Sequence, residues 1–113
     1  MIKAIVVDDE ILTREGISAN VPWEKLGYEL AAACADGREA QAYVKEHEVD
    51  VVLTDICMPY MDGLQLSEFL YREYPQIKII IFSGYDEFEY AKQALKYQVT
   101  EYLLKPVTAF ELS

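Results

Sequence analysis

A chain of 113 residues, 52% of them hydrophobic, is long enough for one domain with one buried core, which argues against a disordered tail or a second lobe. Twenty acidic against ten basic residues give a net charge of −10, which repels a phosphate backbone and argues against direct nucleic-acid binding by this segment. The apolar runs are too short to cross a bilayer and no secretion signal opens the chain, so we expect a cytoplasmic protein with no membrane segment. Cys34 and Cys57 lack the spacing of metal ligands, and we expect reduced thiols.

Short β-branched runs alternate with stretches of helical periodicity along the chain. In chain order, strands are predicted over residues 4–7, 29–33, 51–54, 77–82 and 101–104. Helices are predicted between them, over residues 13–19, 38–47, 64–74 and 88–97. Four residues stand three positions before a Glu or Gln, at the spacing of a capping box, and therefore predict helix starts: Asp36, Asp62, Asp86 and Thr108.

An extra turn is expected between the first helix and the second strand. Pro22 disfavours a helical backbone at Val21, and Gly27 suits the end of a turn. Trp23 lies between them, and we expect it to shield the first helix from water rather than to bind a partner.

The alternation of strands and helices predicts an α/β fold with a five-stranded parallel sheet covered on both faces. This is a doubly wound (βα)5 layout in one domain over residues 1–113. The chain ends at Ser113, one turn into its last helix, so we expect that helix to be truncated. In such sheets ligands bind outside the carboxyl ends of the strands.

Chemically capable residues follow four of the five predicted strands. Asp8 and Asp9 follow the first strand, Asp55 the third, Ser83 the fourth and Lys105 the fifth. Because the carboxyl ends of parallel strands meet at one edge, we expect these side chains to converge. Clustered carboxylates repel one another unless a cation neutralises them, and hard oxygen ligands favour Mg2+.

The predicted cluster suits phosphoryl transfer. Candidate Mg2+ ligands are Asp9, Asp55 and the main-chain carbonyl of Cys57. Asp55 would attack phosphorus as a carboxylate nucleophile, while Lys105 and Ser83 would contact the phosphoryl group. The product would be an acyl phosphate on Asp55.

Three segments resemble the receiver domains of two-component response regulators, and the resemblance covers the whole chain: IVVDDE at 5–10, DICMPYMDGL at 55–64 and YLLKP at 102–106. The stretches 23–28 and 82–91 resemble AraC/YesN-type regulators, which carry a DNA-binding helix-turn-helix effector that is not within this chain.

The resemblance implies a flavodoxin-like fold and a role for each matching residue. Asp55 would accept a phosphoryl group from a sensor histidine kinase, and Asp8 and Asp9 would serve Mg2+. Ser83 would be the switch hydroxyl and Lys105 the phosphate contact. Further implied roles are a switch aromatic at Tyr102 and a cis peptide bond between Lys105 and Pro106, although trans is the default from sequence alone.

In such receivers the face made by the fourth helix, fifth strand and fifth helix contacts a partner or a second receiver, so a homodimer through that face is expected. Gln98 departs from the glycine usual after the fourth helix. Cys57 and Tyr85 match positions that border the path of the hydrolytic water. We hypothesise that bulky Tyr85 slows loss of the phosphoryl group.

Two other functions share parts of this pattern. A haloacid-dehalogenase-like phosphatase also uses an Asp nucleophile with Mg2+, but it requires a second Asp two residues later, where this chain has Cys57. A binding module that is never phosphorylated would typically lack Asp55, Ser83 or Lys105, and all three are present. We therefore expect a signalling domain that catalyses only its own phosphorylation and dephosphorylation, and not an enzyme acting on separate substrates.

Overall fold

The computed structural model describes residues 2–56, 58, 60–83 and 101–104, the last four and Ser83 by their backbone. The elements in chain order are β1 Ile2–Val7, α1 Ile11–Asn20, β2 Tyr28–Cys34, α2 Gly37–Glu46, β3 Val51–Asp55, α3 Gly63–Glu73, β4 Lys78–Ser83 and β5 Glu101–Leu104. All five predicted strands and the first three predicted helices are confirmed, with ends shifted by one or two residues. The predicted helix over 88–97 and the predicted truncation of the last helix lie outside the described residues.

The five strands form one parallel sheet in the order β2-β1-β3-β4-β5. This order is that of flavodoxin-like doubly wound folds, in which the direction of winding changes between β1 and β3. The predicted fold class is thereby confirmed. The change of direction opens a crevice at the carboxyl ends of β1 and β3, where a ligand site is expected.

Strand residues alternate between two cores because successive side chains point to opposite faces of the sheet. One core lies on the side of α2 and α3 and includes Ile5, Val7, Cys34, Ala40, Val44, Val52, Leu66, Leu70, Ile79 and Ile81. The other lies on the side of α1 and includes Ala4, Val6, Ile17, Val21, Trp23, Val51, Leu53, Ile80 and Phe82. Helices therefore cover both faces, and the polar strand ends are left at the edge.

Helices α2 and α3 begin where the capping residues predict. Asp36 accepts hydrogen bonds from the backbone N–H groups of Arg38 and Glu39. Asp62 and Gln65 form a reciprocal capping box at the start of α3. The start signals at Asp86 and Thr108 lie outside the described residues.

The turn between α1 and β2 is also confirmed. Backbone N–H groups of Leu26 and Gly27 donate to carbonyls at the start of the turn, and Gly27 has a φ of 89°, a left-handed conformation that suits glycine. Trp23 is buried against α1, and its Nε1 donates to the carbonyl of Ser18 at 3.2 Å. Trp23 is thus a covering residue, as expected. Within the residues that the structure describes, every helix is too short or too polar to span a bilayer.

Candidate functional site

Three aspartates meet at the carboxyl ends of β1 and β3. Asp8 directly follows β1 and Asp55 ends β3; the two strands are neighbours, and their register pairs Val7 with Thr54. One carboxylate oxygen from each of Asp8, Asp9 and Asp55 lies within 4.8 Å of the others. We call these three residues the acid cluster. The predicted convergence of these three side chains is confirmed.

Two members of the acid cluster are buried. The exposed fraction is 0% for Asp8 and 3% for Asp55, whereas Asp9 is exposed at the rim. Ionised carboxylates that approach one another in a buried setting repel strongly, because little water screens them. A divalent cation at the rim would offset this repulsion. Hard carboxylate oxygens beside solvent are the donors that Mg2+ prefers, so the residues present fit this ion.

Asp8 is held by hydrogen bonds to three residues. Its backbone N–H donates to the carbonyl of Cys34 on β2 at 3.0 Å. Its Oδ1 accepts the backbone N–H of Glu10 at 2.9 Å, and its carbonyl accepts Nη1 of Arg14 at 2.7 Å. The loop between β1 and α1 is therefore tied to the sheet on one side and to the helix on the other.

Asp55 is held by its own strand end and by α3. Its Oδ1 accepts the backbone N–H of Ile56 at 2.8 Å, and its carbonyl accepts the Thr54 hydroxyl at 2.9 Å. Gly63 packs so closely here that a Cβ atom would overlap the Asp55 carbonyl oxygen. The backbone N–H of Gly63 also donates to the Ile56 carbonyl at 2.8 Å. Only glycine allows α3 to begin this close to the strand end.

The loop after Asp55 carries a second backbone feature, which sequence reasoning missed. Tyr60 has a φ of 67°, in the left-handed region that L residues other than Asn and Asp rarely adopt, and its side chain is 74% exposed. The Arg38 guanidinium lies 3.8 Å from the centre of the Tyr60 ring, in a cation–π contact. The backbone N–H of Gly37 donates to the carbonyl of Met61 at 3.1 Å. The start of α2 therefore supports this loop.

The backbone places Ser83 at the carboxyl edge of the sheet, and it places Tyr102 on β5, two positions before the end of that strand. Ser83 is the last residue of β4, one position beyond the register partner of Asp55, and it pairs with Leu104 of β5. Tyr102 pairs with Ile81. The other predicted site residues lie outside the described residues: Cys57, Tyr85, Lys105 and Pro106. Their roles stay predictions.

Cys34 contacts the acid cluster through its backbone carbonyl, which accepts the Asp8 N–H, but its thiol does not share the chemistry of the cluster. Burial, and to a smaller extent the charges of Glu39 and Asp36, raise the pKa of Cys34 to about 11, against an opposing effect of Arg14. Cys34 is buried and forms no disulfide with any residue that the structure describes. Its thiol is therefore protonated at neutral pH, which makes it a poor nucleophile.

Comparison with known proteins decides the family. The family described as "Response regulator receiver domain" matches residues 4–113. This chain belongs to the response regulator receiver family. Receivers are signalling domains rather than classical enzymes, so this assignment favours the phosphoacceptor interpretation over the phosphatase interpretation.

Curated relatives are transcriptional regulators that are longer than this chain. The uncharacterized transcriptional regulatory protein YesN of Bacillus subtilis is 41% identical over 106 residues, which cover 94% of this chain and 29% of YesN. The transcriptional regulatory protein HptR of Staphylococcus aureus is 36% identical over 112 residues, which cover 99% of this chain and 44% of HptR. The chain thus spans less than half the length of these relatives.

Solved structures agree in fold and subtype. The receiver domain of AraT, a response regulator from Geobacillus stearothermophilus, is 41% identical with a TM-score of 0.90, over 97% of this chain and 85% of that one. A two-component transcriptional regulator AraC from Clostridium phytofermentans is 34% identical with a TM-score of 0.83, over 99% of this chain and 86% of that one. The predicted likeness to receivers of AraC/YesN-type regulators is confirmed.

Proposed function

We propose that this receiver takes a phosphoryl group from a sensor histidine kinase onto Asp55, with Mg2+ at the acid cluster, and thereby switches a transcriptional output. The observation that carries the proposal is the approach of three carboxylates within 4.8 Å at the carboxyl ends of β1 and β3. Two of these carboxylates, those of Asp8 and Asp55, are buried. Burying a carboxylate costs free energy, so a carboxylate without a function is expected at the surface. A buried acid cluster of this kind indicates a functional site.

Asp55 is the proposed acceptor of the phosphoryl group. One of its carboxylate oxygens, Oδ1, accepts the Ile56 N–H, which fixes the orientation of the carboxylate. An oxygen of Asp55 forms the new bond to phosphorus, while the bond from phosphorus to the imidazole nitrogen of the phosphohistidine breaks and its electron pair stays with the imidazole. The product is an aspartyl phosphate.

Asp8, Asp9 and Asp55 would hold Mg2+, together with the main-chain carbonyl of Cys57. Mg2+ at this position would offset the negative charge of the carboxylates and of the incoming phosphoryl group. Asp8 is held from three sides, by Cys34, Glu10 and Arg14, so its position is fixed before any ligand arrives. Such preorganisation lowers the cost of binding.

Ser83 and Lys105 would contact the transferred group. The register that places Ser83 one residue beyond the partner of Asp55 supports this role for its hydroxyl. Lys105 directly follows Leu104 in the sequence, and the backbone of Leu104 pairs with Ser83 at the carboxyl end of β4. An ammonium group there would act on the phosphoryl oxygens as a point charge, aimed by a cis bond to Pro106.

Phosphorylation would act by shifting an equilibrium between two conformations. Ser83 would move towards the phosphoryl group and Tyr102 would follow, which changes the face formed by the fourth helix, β5 and the fifth helix. A shift from mostly inactive to mostly active requires about 5 kcal/mol of differential stabilisation. A second receiver would bind to the changed face, and a DNA-binding effector elsewhere in an AraC/YesN-type regulator would supply the output.

Phosphorylation by a small donor tests this function directly. The protein is incubated with Mg2+ and acetyl phosphate, and its intact mass is measured. We expect the gain of one phosphoryl group in the wild type and none in Asp55→Asn or in the presence of EDTA. Asp50→Asn is the matched control, because Asp50 is exposed and lies at the opposite edge of the sheet, where its Oδ2 accepts the backbone N–H of Lys3.

Either of two results would contradict the proposal. An adduct that persists in Asp55→Asn would assign the phosphoryl group to another residue. A wild type that gains no mass, while its fold is intact by circular dichroism, would show that the acid cluster is not a phosphoacceptor site.

We also propose that Tyr85 and Cys57 set the lifetime of the phosphorylated state. Hydrolysis requires a water molecule in line with the phosphorus–oxygen bond, and a bulky side chain beside this path hinders it. Tyr85→Ala should shorten the lifetime of the adduct. Tyr85→Phe keeps the bulk and should leave the lifetime unchanged. An unaltered lifetime in Tyr85→Ala refutes this role.

A further inference from the structure

Arg14 makes a contact with the site that the proposed function does not use. It lies on the first turn of α1 and is half-buried, and its Nη1 donates to the main-chain carbonyl of Asp8 at 2.7 Å. This is a charge-assisted hydrogen bond, which is shorter and stronger than one between neutral groups. It joins the helix to the peptide between Asp8 and Asp9, the two neighbouring aspartates of the acid cluster.

The Asp9 side of the peptide between Asp8 and Asp9 lies at the exposed rim of the site. The Asp8 N–H is fixed by Cys34 and the Asp8 carboxylate by Glu10, but Asp9 is exposed at the rim. Because a peptide unit is planar, fixing the Asp8 carbonyl also fixes the direction in which the Asp9 backbone continues. The contact from Arg14 therefore bears on where the Asp9 carboxylate lies.

Arg14 is itself anchored within α1. Its backbone N–H donates to the Glu10 carbonyl at 2.9 Å, and its carbonyl accepts the hydroxyl of Ser18 at 2.8 Å. The carbonyl of Ser18 in turn accepts Nε1 of the buried Trp23 at 3.2 Å. These hydrogen bonds fix the segment of α1 from which the Arg14 guanidinium extends.

We propose that Arg14 is a positioning residue, which holds the peptide between Asp8 and Asp9 so that the Asp9 carboxylate is oriented for a divalent cation. This inference rests on the proposed function of the acid cluster. Outer partners of this kind commonly change metal affinity by about tenfold to a hundredfold when they are removed.

The direction of the change separates positioning from simple charge effects. A guanidinium near a cation site repels the cation, so its removal should strengthen metal binding if charge alone matters. If Arg14 positions Asp9, its removal weakens metal binding although a repelling charge has been lost. A purely structural role would lower the unfolding temperature and leave the affinity of the folded protein for the metal unchanged.

The test compares metal binding in Arg14→Met, Arg14→Lys and the wild type. Mn2+ serves as the probe, and the free ion is measured by electron paramagnetic resonance. We expect binding about tenfold weaker in Arg14→Met and partial recovery in Arg14→Lys, which keeps the charge and a donor. The Mg2+ concentration for half-maximal phosphorylation should rise by a similar factor, while the rate at saturating Mg2+ stays close to that of the wild type.

Arg72→Met is the matched control for the loss of one positive charge. Arg72 is exposed on α3, where it pairs with Glu68 at 3.4 Å, and its loss should leave Mn2+ affinity unchanged. Binding in Arg14→Met that equals or exceeds that of the wild type overturns the proposal. Should Arg14→Met not fold, Arg14→Leu, which likewise lacks both the charge and a hydrogen-bond donor, gives the same comparison with the same deciding outcome.

The proposed function can fail separately. If the wild type binds no Mn2+ and gains no phosphoryl group, the acid cluster is not the proposed site and the role of Arg14 falls with it. If the wild type does both and Arg14→Met matches it, only the role of Arg14 is wrong.

Discussion

Two groups of aspartates lie on the carboxyl edge of the sheet, and their surroundings differ. The carboxylates of Asp36 and Asp62, which we call the cap carboxylates, accept backbone N–H groups at the starts of α2 and α3. The acid cluster lies at the ends of β1 and β3, where its carboxylates approach one another. Helix α1, which follows the first cluster residues, begins without a side-chain cap.

The difference shows how one residue type serves two purposes at a strand end. A cap carboxylate is stabilised by the N–H groups and the positive dipole of the helix that it starts. A carboxylate of the acid cluster faces other carboxylates, so its environment becomes favourable when a cation arrives. We therefore expect that loss of a carboxylate raises the free energy of unfolding in the acid cluster and lowers it among the cap carboxylates. We also expect metal binding to depend on the acid cluster and not on the cap carboxylates.

Gly63 lies where the two groups meet, because it follows the cap residue Asp62 and touches the backbone of Asp55. Gly63→Ala should lower the free energy of unfolding by about 3 kcal/mol, since a Cβ would overlap the Asp55 carbonyl oxygen and the backbone would have to shift. Chemical denaturation measures this loss. The variant should also accept the phosphoryl group more slowly.

Gly16→Ala is the control for Gly63→Ala. Gly16 lies within α1, and the nearest atom to an added Cβ is Nδ2 of Asn20 at 3.9 Å, so alanine fits. This variant should gain about 0.5–1 kcal/mol from its better helix propensity. Equal stability changes at Gly63 and Gly16 would show that α3 does not pack closely against the site.

The Cys34 thiol should make stability depend on pH in alkali. Because its pKa rises from 9.0 to about 11 in the folded protein, the unfolded chain loses this proton at lower pH than the folded one. The protonated Cys34 thiol therefore contributes its full share to the free energy of unfolding below pH 9. This contribution, about 2–3 kcal/mol at most, is lost as the pH rises through about 11.

The measurement uses a Cys57→Ala background, so that only one thiol titrates. The difference in unfolding free energy between this protein and the same protein with Cys34→Ala is followed from pH 8 to pH 11, roughly the range over which the thiol titrates. As the pH rises, we expect the protein that keeps Cys34 to lose unfolding free energy relative to the Cys34→Ala protein. A flat difference would mean that Cys34 is not buried beside Asp36 and Glu39.

Removing one carboxylate from each group should change stability in opposite directions. In EDTA, Asp55→Asn should raise the free energy of unfolding by about 1 kcal/mol, because it relieves repulsion within the acid cluster and keeps an oxygen for the Ile56 N–H. Asp62→Ala should lower it by about 1 kcal/mol through loss of the capping box. Thermal and denaturant unfolding give both values, and changes of the same sign would remove the distinction between the groups.

Much of this arrangement could be predicted from sequence because local signals agree with one another. The β-branched runs before Asp8 and Asp55 identify the strands, and the spacings from Asp36 and Asp62 identify the starts of α2 and α3. The start of α1 was predicted two residues late. Its N-cap residue, Glu10, makes no side-chain cap, so the sequence gives no start signal there.

Other features depend on how distant segments pack, and no local pattern encodes them. Nothing near Tyr60 signals a left-handed backbone, which a tyrosine rarely adopts. The bond from Arg14 to the Asp8 carbonyl depends on how closely α1 approaches the end of β1. The glycine that follows the Asp62 cap was the one available signal for the close approach to Asp55, but it is equally common in ordinary turns.

The most direct test of the account is calorimetric titration of Mg2+ into four variants that each lose one negative charge. Asp8→Asn and Asp9→Asn remove it from the acid cluster, and Asp36→Asn and Asp62→Asn remove it from the cap carboxylates while keeping a capping side chain. We expect one Mg2+ per wild-type chain, binding at least about tenfold weaker in the two cluster variants, and wild-type affinity in the two cap variants. Equal weakening in all four variants, or no binding by the wild type, would contradict the account.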